Sequence, residues 1–131
     1  MVETNVIGFS KQKRLVEKTI KTVMYNLNLD VPLTVRKLKL KNEDTLAFAY
    51  DVMDSYGLCV FENCPPEKLQ EVISHELIHI EQMVRGDLQF DMENQTFYWK
   101  GEAYDQERLN ILSYYDRPWE AEAKKLEKSL L

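Results

Sequence analysis

The chain has two histidines, and they stand four residues apart in His75-Glu76-Leu77-Ile78-His79. They fall in a stretch whose periodicity leaves little conformational freedom. Over residues 66–85, Leu69, Val72, Ile73, Leu77, Ile80, Met83 and Val84 recur at helical spacing and form one broad apolar face. His75 and His79 lie together at the border of that face, while Glu76 falls inside it. A carboxylate in such a place is costly unless a cation or a polar partner meets it.

The remaining elements follow from the same kind of pattern. Residues Ser10 to Leu29 read as a helix that Ser10 can cap, broken by Asp30-Val31-Pro32. Leu33–Lys41 alternates as a strand, with a phase slip between Val35 and Leu38 that predicts a bulge. Asn42-Glu43-Asp44 is a turn, Leu46–Met53 a second strand, Ser55-Tyr56-Gly57 another turn and Leu58–Phe61 a third strand. Pro65-Pro66 opens the histidine helix, which runs to about Arg85 and stops at Gly86. Thr96–Lys100 is the best of several short strands downstream. A helical piece near Glu107–Ser113 follows, and Pro118 opens a last helix to about Ser129. The order helix, three strands, helix, ribbon, helix predicts an α+β fold. Helices should pack on a small, largely antiparallel sheet within a single domain spanning residues 1–131.

Bulk properties narrow the function classes. No window is apolar for the ~18 residues a membrane span needs, and MVETNVIGFSKQKR contains no secretory apolar core. A cytoplasmic location, without membrane partners, is the expectation. Cys59 and Cys64 are spaced as neither a zinc knuckle nor a redox pair, and read as free thiols. The net charge of −5 is unevenly spread: residues 1–41 carry +6 and residues 42–131 carry −11. The acidic surroundings of the histidines argue against nucleic acid as their partner. The basic segment Lys11–Lys41 reads as a solvated face; binding of nucleic acid there would show as steep salt dependence.

Histidines at i and i+4 lie about 6 Å apart along a helix axis. Two imidazoles so placed can converge on one zinc ion at about 2.0–2.1 Å each. A glutamate beside the first can take a proton from a metal-bound water and pass it to a leaving amine. That is the chemistry behind reading H-E-x-x-H as a metallopeptidase motif; the structural alternative is two solvated histidines at a helix border. A catalytic zinc usually has three protein ligands, and no third histidine exists. A carboxylate is the natural candidate, and Arg117-Pro118-Trp119-Glu120-Ala121-Glu122-Ala123 offers two. Trp119, Ala123, Leu126 and Leu130 form the apolar face of that helix, with Glu120 and Glu122 flanking it on opposite sides. Periodicity leaves the two tied.

The pairing of HELIH (75–79) with WEAEA (119–123) resembles the gluzincins. So do YGLCVFEN (56–63) before the Pro-Pro pair, YWKGEAY (98–104) and the Y-x-x-R-P-W-E-A-E-A run (114–123). Together they resemble small single-domain metallopeptidase-like proteins often found in phage genomes. The resemblance covers residues 56–123 and implies a zincin-like domain. It makes His75, His79 and Glu120 zinc ligands, Glu76 the general base and Ala123 the small residue packed near the active-site helix. Lys124 departs from larger gluzincins, which carry an acid there, so the outer hydrogen-bonding partner of a histidine must come from elsewhere. Substrate peptide is expected along an edge strand, here Leu58, Cys59, Val60 and Phe61, through backbone pairing. Tyr114 and Tyr115 are candidate donors to an oxyanion, or equally core aromatics; Trp99 and Trp119 read as packing. The expected activity is zinc-dependent hydrolysis of a peptide or protein. The alternative is a non-catalytic, zinc-containing protein-binding module of the same fold.

Overall fold

The computed structural model describes residues 3–131; Met1 and Val2, the start of the segment read as lacking a secretory signal, lie outside the described residues. The fold is α+β, with four α-helices and two sheets. Strand β1 (Thr4–Ile7) leads into α1 (Lys13–Leu27), then β2 (Leu33–Leu38), β3 (Ala47–Val52) and β4 (Ser55–Phe61). Helix α2 (Leu69–Val84) carries both histidines. Strands β5 (Leu88–Asp91), β6 (Thr96–Trp99) and β7 (Glu102–Tyr104) precede α3 (Gln106–Ile111) and α4 (Pro118–Leu126).

The two sheets differ in pairing. The three-stranded sheet, β5-β6-β7, is antiparallel throughout, as expected. The four-stranded sheet has the order β1-β2-β4-β3 and is mixed: β1–β2 and β2–β4 are parallel, and only β3–β4 is antiparallel. The expectation of a single, largely antiparallel sheet fails here because β2 pairs across the β3–β4 hairpin with β4. Residues Leu33–Leu38 match Tyr56–Phe61 one for one, so the predicted bulge in β2 is absent. Ser55-Tyr56-Gly57 is strand, not turn. The chain reverses at Met53-Asp54, where Met53 adopts φ +57. Gly57 sits opposite Tyr50, whose ring occupies the space a Cβ would need.

Helix boundaries follow local chemistry. Ser10 does not cap α1: it has φ +48 and begins a 3-10 turn, and the helix starts at Lys13. Its end is Asn28 in the left-handed conformation, two residues before the expected break. Helix α2 closes at Gly86 (φ +85), where the Gly86 and Asp87 amides donate to Met83 and Gln82 carbonyls.

Helices α1 and α2 cover one side of the four-stranded sheet. Between them lies an aliphatic core that includes Val16, Ile20, Val23, Val35, Leu58, Val60, Ile73, Leu77 and Ile80, each 2% exposed or less. Burying each large aliphatic chain contributes about 1.5–3 kcal/mol, so this core holds α2 in place without help from the histidines. A second, smaller core lies under the three-stranded sheet, built from Leu88, Tyr104, Leu109 and Trp119. Trp119 stacks on Phe97 at 5.2 Å and meets Tyr104 edge-on at 5.1 Å; such pairs each contribute about 0.5–1.5 kcal/mol beyond area burial. This core anchors the start of α4. Cys59 and Cys64 are free thiols, and among the described residues no helix is long and apolar enough to cross a membrane.

Candidate metal centre

The aliphatic core places His75 and His79 one turn apart on α2, and the aromatic core places Glu120 opposite them on α4. The three side chains meet. His75 Nε2 and His79 Nε2 are each 2.9 Å from Glu120 Oε1, and 3.2 Å from each other. All three are nearly or fully buried. Tetrahedral ligands at 2.0–2.1 Å from a zinc ion stand about 3.3 Å apart. The observed triangle is slightly tighter, and the group can hold a metal ion.

The outer ring nitrogens explain which way the imidazoles are wired. His75 Nδ1 lies 2.9 Å from Glu127 Oε1, a carboxylate that can only accept when ionised, so Nδ1 carries the hydrogen. His79 Nδ1 lies 2.8 Å from Gln82 Oε1. The amide orientation of Gln82 is fixed at its other end, where Nε2 donates to the Trp119 carbonyl and to Glu122 Oε1, both at 3.0 Å. Gln82 therefore presents its oxygen to His79, and His79 Nδ1 also carries a hydrogen. In the neutral rings both Nε2 lone pairs then face one another and Glu120. Three acceptors so arranged require a positive charge among them, as protons or as a metal. Orientation of ligating histidines by such outer partners is the general rule at metal sites.

The ionisation behaviour reflects the same demand for positive charge. Burial disfavours the His75 imidazolium. Hydrogen bonds to Glu120 and Glu127, with the Glu76 charge, outweigh it and raise its pKa to about 9. His79 is raised too, against its burial, chiefly by Glu120. Burial alone would raise Glu120, yet the two histidines hold it at about 2.

Glu76, at 8% exposure, has no hydrogen-bonding partner among the described residues; burial pushes its carboxyl up to about 7 against the pull of the histidines. That is the range suited to a group that takes and returns protons near neutral pH.

Two cavities flank the group. The larger, about 420 Å³, is bounded mainly by polar and charged residues, among them His75, Glu76, Tyr114, Tyr115 and Glu127, with the β2–β3 loop on the far side. The smaller, about 240 Å³, is walled by Phe48, Met83, Leu88, Phe97 and Trp119 and reaches Glu76, His79 and Glu120. Tyr114 borders both. Partial burial of its phenol, then the Glu120 charge, raises its pKa above the usual value, so it stays a donor. Tyr114 and Tyr115 are 48% and 51% exposed, which removes them from the core that their aromatic character allowed.

Several site expectations are sharpened or overturned. Glu120 joins the histidines, while Glu122 turns away to Arg85 at 2.6 Å and Gln82 at 3.0 Å, so Glu120 alone of the two lies with them. Leu58, Cys59, Val60 and Phe61 are not an edge. They lie in β4 at the centre of the sheet, buried and paired on both sides, with no free backbone edge for a peptide. The edge that borders both cavities is β3, through Ala47 and the preceding Thr45.

Glu127 and Gln82 were not foreseen as partners of the histidines. Glu127 lies two turns beyond Glu120 on the same helix side, and Gln82 lies one turn beyond His79, so both were legible as spacings. Lys124, where larger gluzincins have an acid, stands 3.9 Å from Glu127 Oε2. Arg117 was also passed over: its Nε is buried without a hydrogen-bonding partner, an arrangement that costs about 1–3 kcal/mol for a neutral group and more for a charged one.

No family model, curated protein or solved structure matches this chain. The gluzincin resemblance therefore rests on the motifs within residues 56–123, and the chemistry of the site rests on the arrangement just described.

Proposed function

We propose that this chain is a zinc-dependent metallopeptidase of zincin-like architecture, in which His75, His79 and Glu120 hold the metal. The observation that carries the reading is the wiring of the two imidazoles. Glu127 and Gln82 occupy both Nδ1 positions, leaving both Nε2 atoms directed at Glu120 beside a buried, unpaired Glu76. Two histidine nitrogens and one carboxylate favour zinc over magnesium or calcium. When bound, zinc supplies Lewis acidity toward a peptide carbonyl and a nucleophile usable at neutral pH.

The chain's own residues do the rest. Glu76, with its raised pKa, accepts the proton of the attacking water and returns it to the leaving amine. Tyr114, held in its protonated form, donates to the oxygen on which negative charge develops. An extended peptide lies along the free edge of β3, where backbone pairing supplies affinity and the two cavities receive side chains.

The test is metal content followed by hydrolysis. Wild type purified without added metal should carry about one zinc per chain, and His75→Ala, His79→Ala and Glu120→Ala should each lose it. Full zinc in both histidine variants removes the reading. Glu76→Gln should keep zinc and fold but lose ~10²–10⁴-fold in the cleavage of a broad peptide mixture, with chelated wild type as control. Durable capture of one protein by wild type and Glu76→Gln alike, with cleavage by neither, would instead establish a binding module.

A further inference from the structure

The smaller cavity is apolar on most of its wall, yet an arginine borders it. Arg117 borders it together with Phe48, Phe97 and Trp119, and no other lysine or arginine does so. Its Nε is buried and meets no acceptor. Among the described residues, no ion pair within 4.0 Å and no side-chain hydrogen bond involves its guanidinium. The one aromatic neighbour of its charge is Tyr114, at 5.7 Å from the ring centroid.

Two carboxylates, Glu76 and Glu120, border the same cavity and could have neutralised Arg117. Neither does. Glu120 is committed to the histidines at 2.9 Å, and Glu76 stays unpaired. A half-buried cation with no anionic partner among the described residues, bordering a largely apolar cavity beside a candidate hydrolytic centre, is suited to bind an anion. The planar fork of arginine suits a carboxylate, which it can bind through two parallel hydrogen bonds. The cavity volume of about 240 Å³ falls below the ~300–1,000 Å³ of a drug-sized pocket and suits a single side chain or a chain end.

We propose that Arg117 is a specificity-determining residue that selects peptides presenting a carboxylate to the smaller cavity. This rests on the peptidase reading above and names the substrate class of that site. The carboxylate can belong to an aspartate or glutamate side chain or to a peptide C-terminus; the binding chemistry is shared, and peptide design separates the two. The apolar walls accept the methylenes of the residue that carries it, and exclude water from the ion pair, which strengthens it.

The experiment uses zinc-loaded Glu76→Gln, which is expected to hold peptides without cutting them, and reads binding by fluorescence anisotropy. Four labelled peptides of one sequence are compared, with Glu or Gln at the varied internal position and a free or amidated C-terminus. The Glu76→Gln chain should prefer one carboxylate-bearing form by roughly tenfold or more, the scale expected for a desolvated charge pair. A preference for Glu over Gln identifies a side-chain carboxylate; a preference for free acid over amide identifies a chain end. Adding Arg117→Gln should abolish the preference while zinc content stays unchanged and the chain stays folded. Adding Arg117→Lys, which keeps the charge and loses the fork, should restore part of it and guards against a merely structural effect. Binding or wild-type cleavage with no carboxylate preference, or a preference that survives Arg117→Gln, overturns the role of Arg117 and leaves the peptidase reading standing. Absence of any peptide binding together with absence of chelator-sensitive cleavage overturns both.

Discussion

The core between the four-stranded sheet and helices α1 and α2 is aliphatic and broad; the core under the three-stranded sheet is aromatic and centres on one residue, Trp119. The two histidines ride on the first and Glu120 on the second. In the larger core many side chains of similar size share the load, so loss of any one leaves α2 held by the others. In the smaller core the stack of Trp119 on Phe97 and its edge contact with Tyr104 fix the start of α4. The residue next to Trp119 is Glu120, which meets both histidines. The comparison teaches that one core holds the bulk of the fold and the other positions Glu120, and that the candidate centre sits across the boundary between them.

The strongest way to break that comparison is to open each core separately. Trp119→Ala should destabilise by ~3–5 kcal/mol and, by freeing the start of α4, should also cost most of the metal affinity. Leu58→Ala, deep in the aliphatic core and away from the site, should destabilise by ~2–5 kcal/mol while the folded fraction binds metal as wild type does. Thermal melts and chelator-competition titrations read the two quantities independently. Equal loss of metal affinity in both variants would mean that the cores position the site jointly.

A smaller effect tests the wiring of one histidine. Gln82→Leu removes the acceptor for His79 Nδ1 without emptying the space, and should lower metal affinity about 10–100-fold. Glu122→Ala, which removes a partner of Gln82 and Arg85 but no donor, should leave it nearly unchanged. The reverse result would return Glu122 to the ligand set.

The least effect is expected from pH, and it concerns the boundary itself. In metal-free protein, Glu76 is raised from an unfolded value of 4.5 to about 7 and His75 from 6.5 to about 9. The folded state thus binds more protons than the unfolded state between these values, and stability falls as pH rises. The Glu76 contribution fades from about pH 4.5 to 7. The His75 contribution is fully present below 6.5 and lost as pH passes about 9. Metal binding has the opposite sense, because the imidazoles must be bare. The gap in melting temperature between loaded and chelated protein should therefore widen from pH 5 to pH 9. A constant gap would show that His75 does not lie in the metal's reach.

Much of this was legible in the residues. The period of residues 66–85 located the histidine helix, and Glu76 on its apolar face pointed to a buried carboxylate. Other features were hidden for physical reasons. Strand β1, Thr4–Ile7, is four residues long and largely exposed, so it shows no alternation of buried and exposed positions. The parallel β2–β4 pairing depends on where the β3–β4 hairpin docks, a long-range choice that no local pattern carries. The misplacement of Leu58–Phe61 at an edge was avoidable: an unbroken apolar run such as Leu-Cys-Val-Phe is what a strand buried on both faces shows. Choosing Glu120 over Glu122 required the packing of Trp119, which lies beyond helical periodicity.

The donors of the candidate centre are far apart along the chain: His79 and His75 precede Glu120 by 41 and 45 residues. Ribosomal synthesis runs from the N-terminus, so both histidines emerge while Glu120 is still to be added. A nascent chain halted before residue 120 holds two donors and not three, and its α2 has no α4 to close against. On the reading proposed above, a three-donor site forms only after residue 120 has been added.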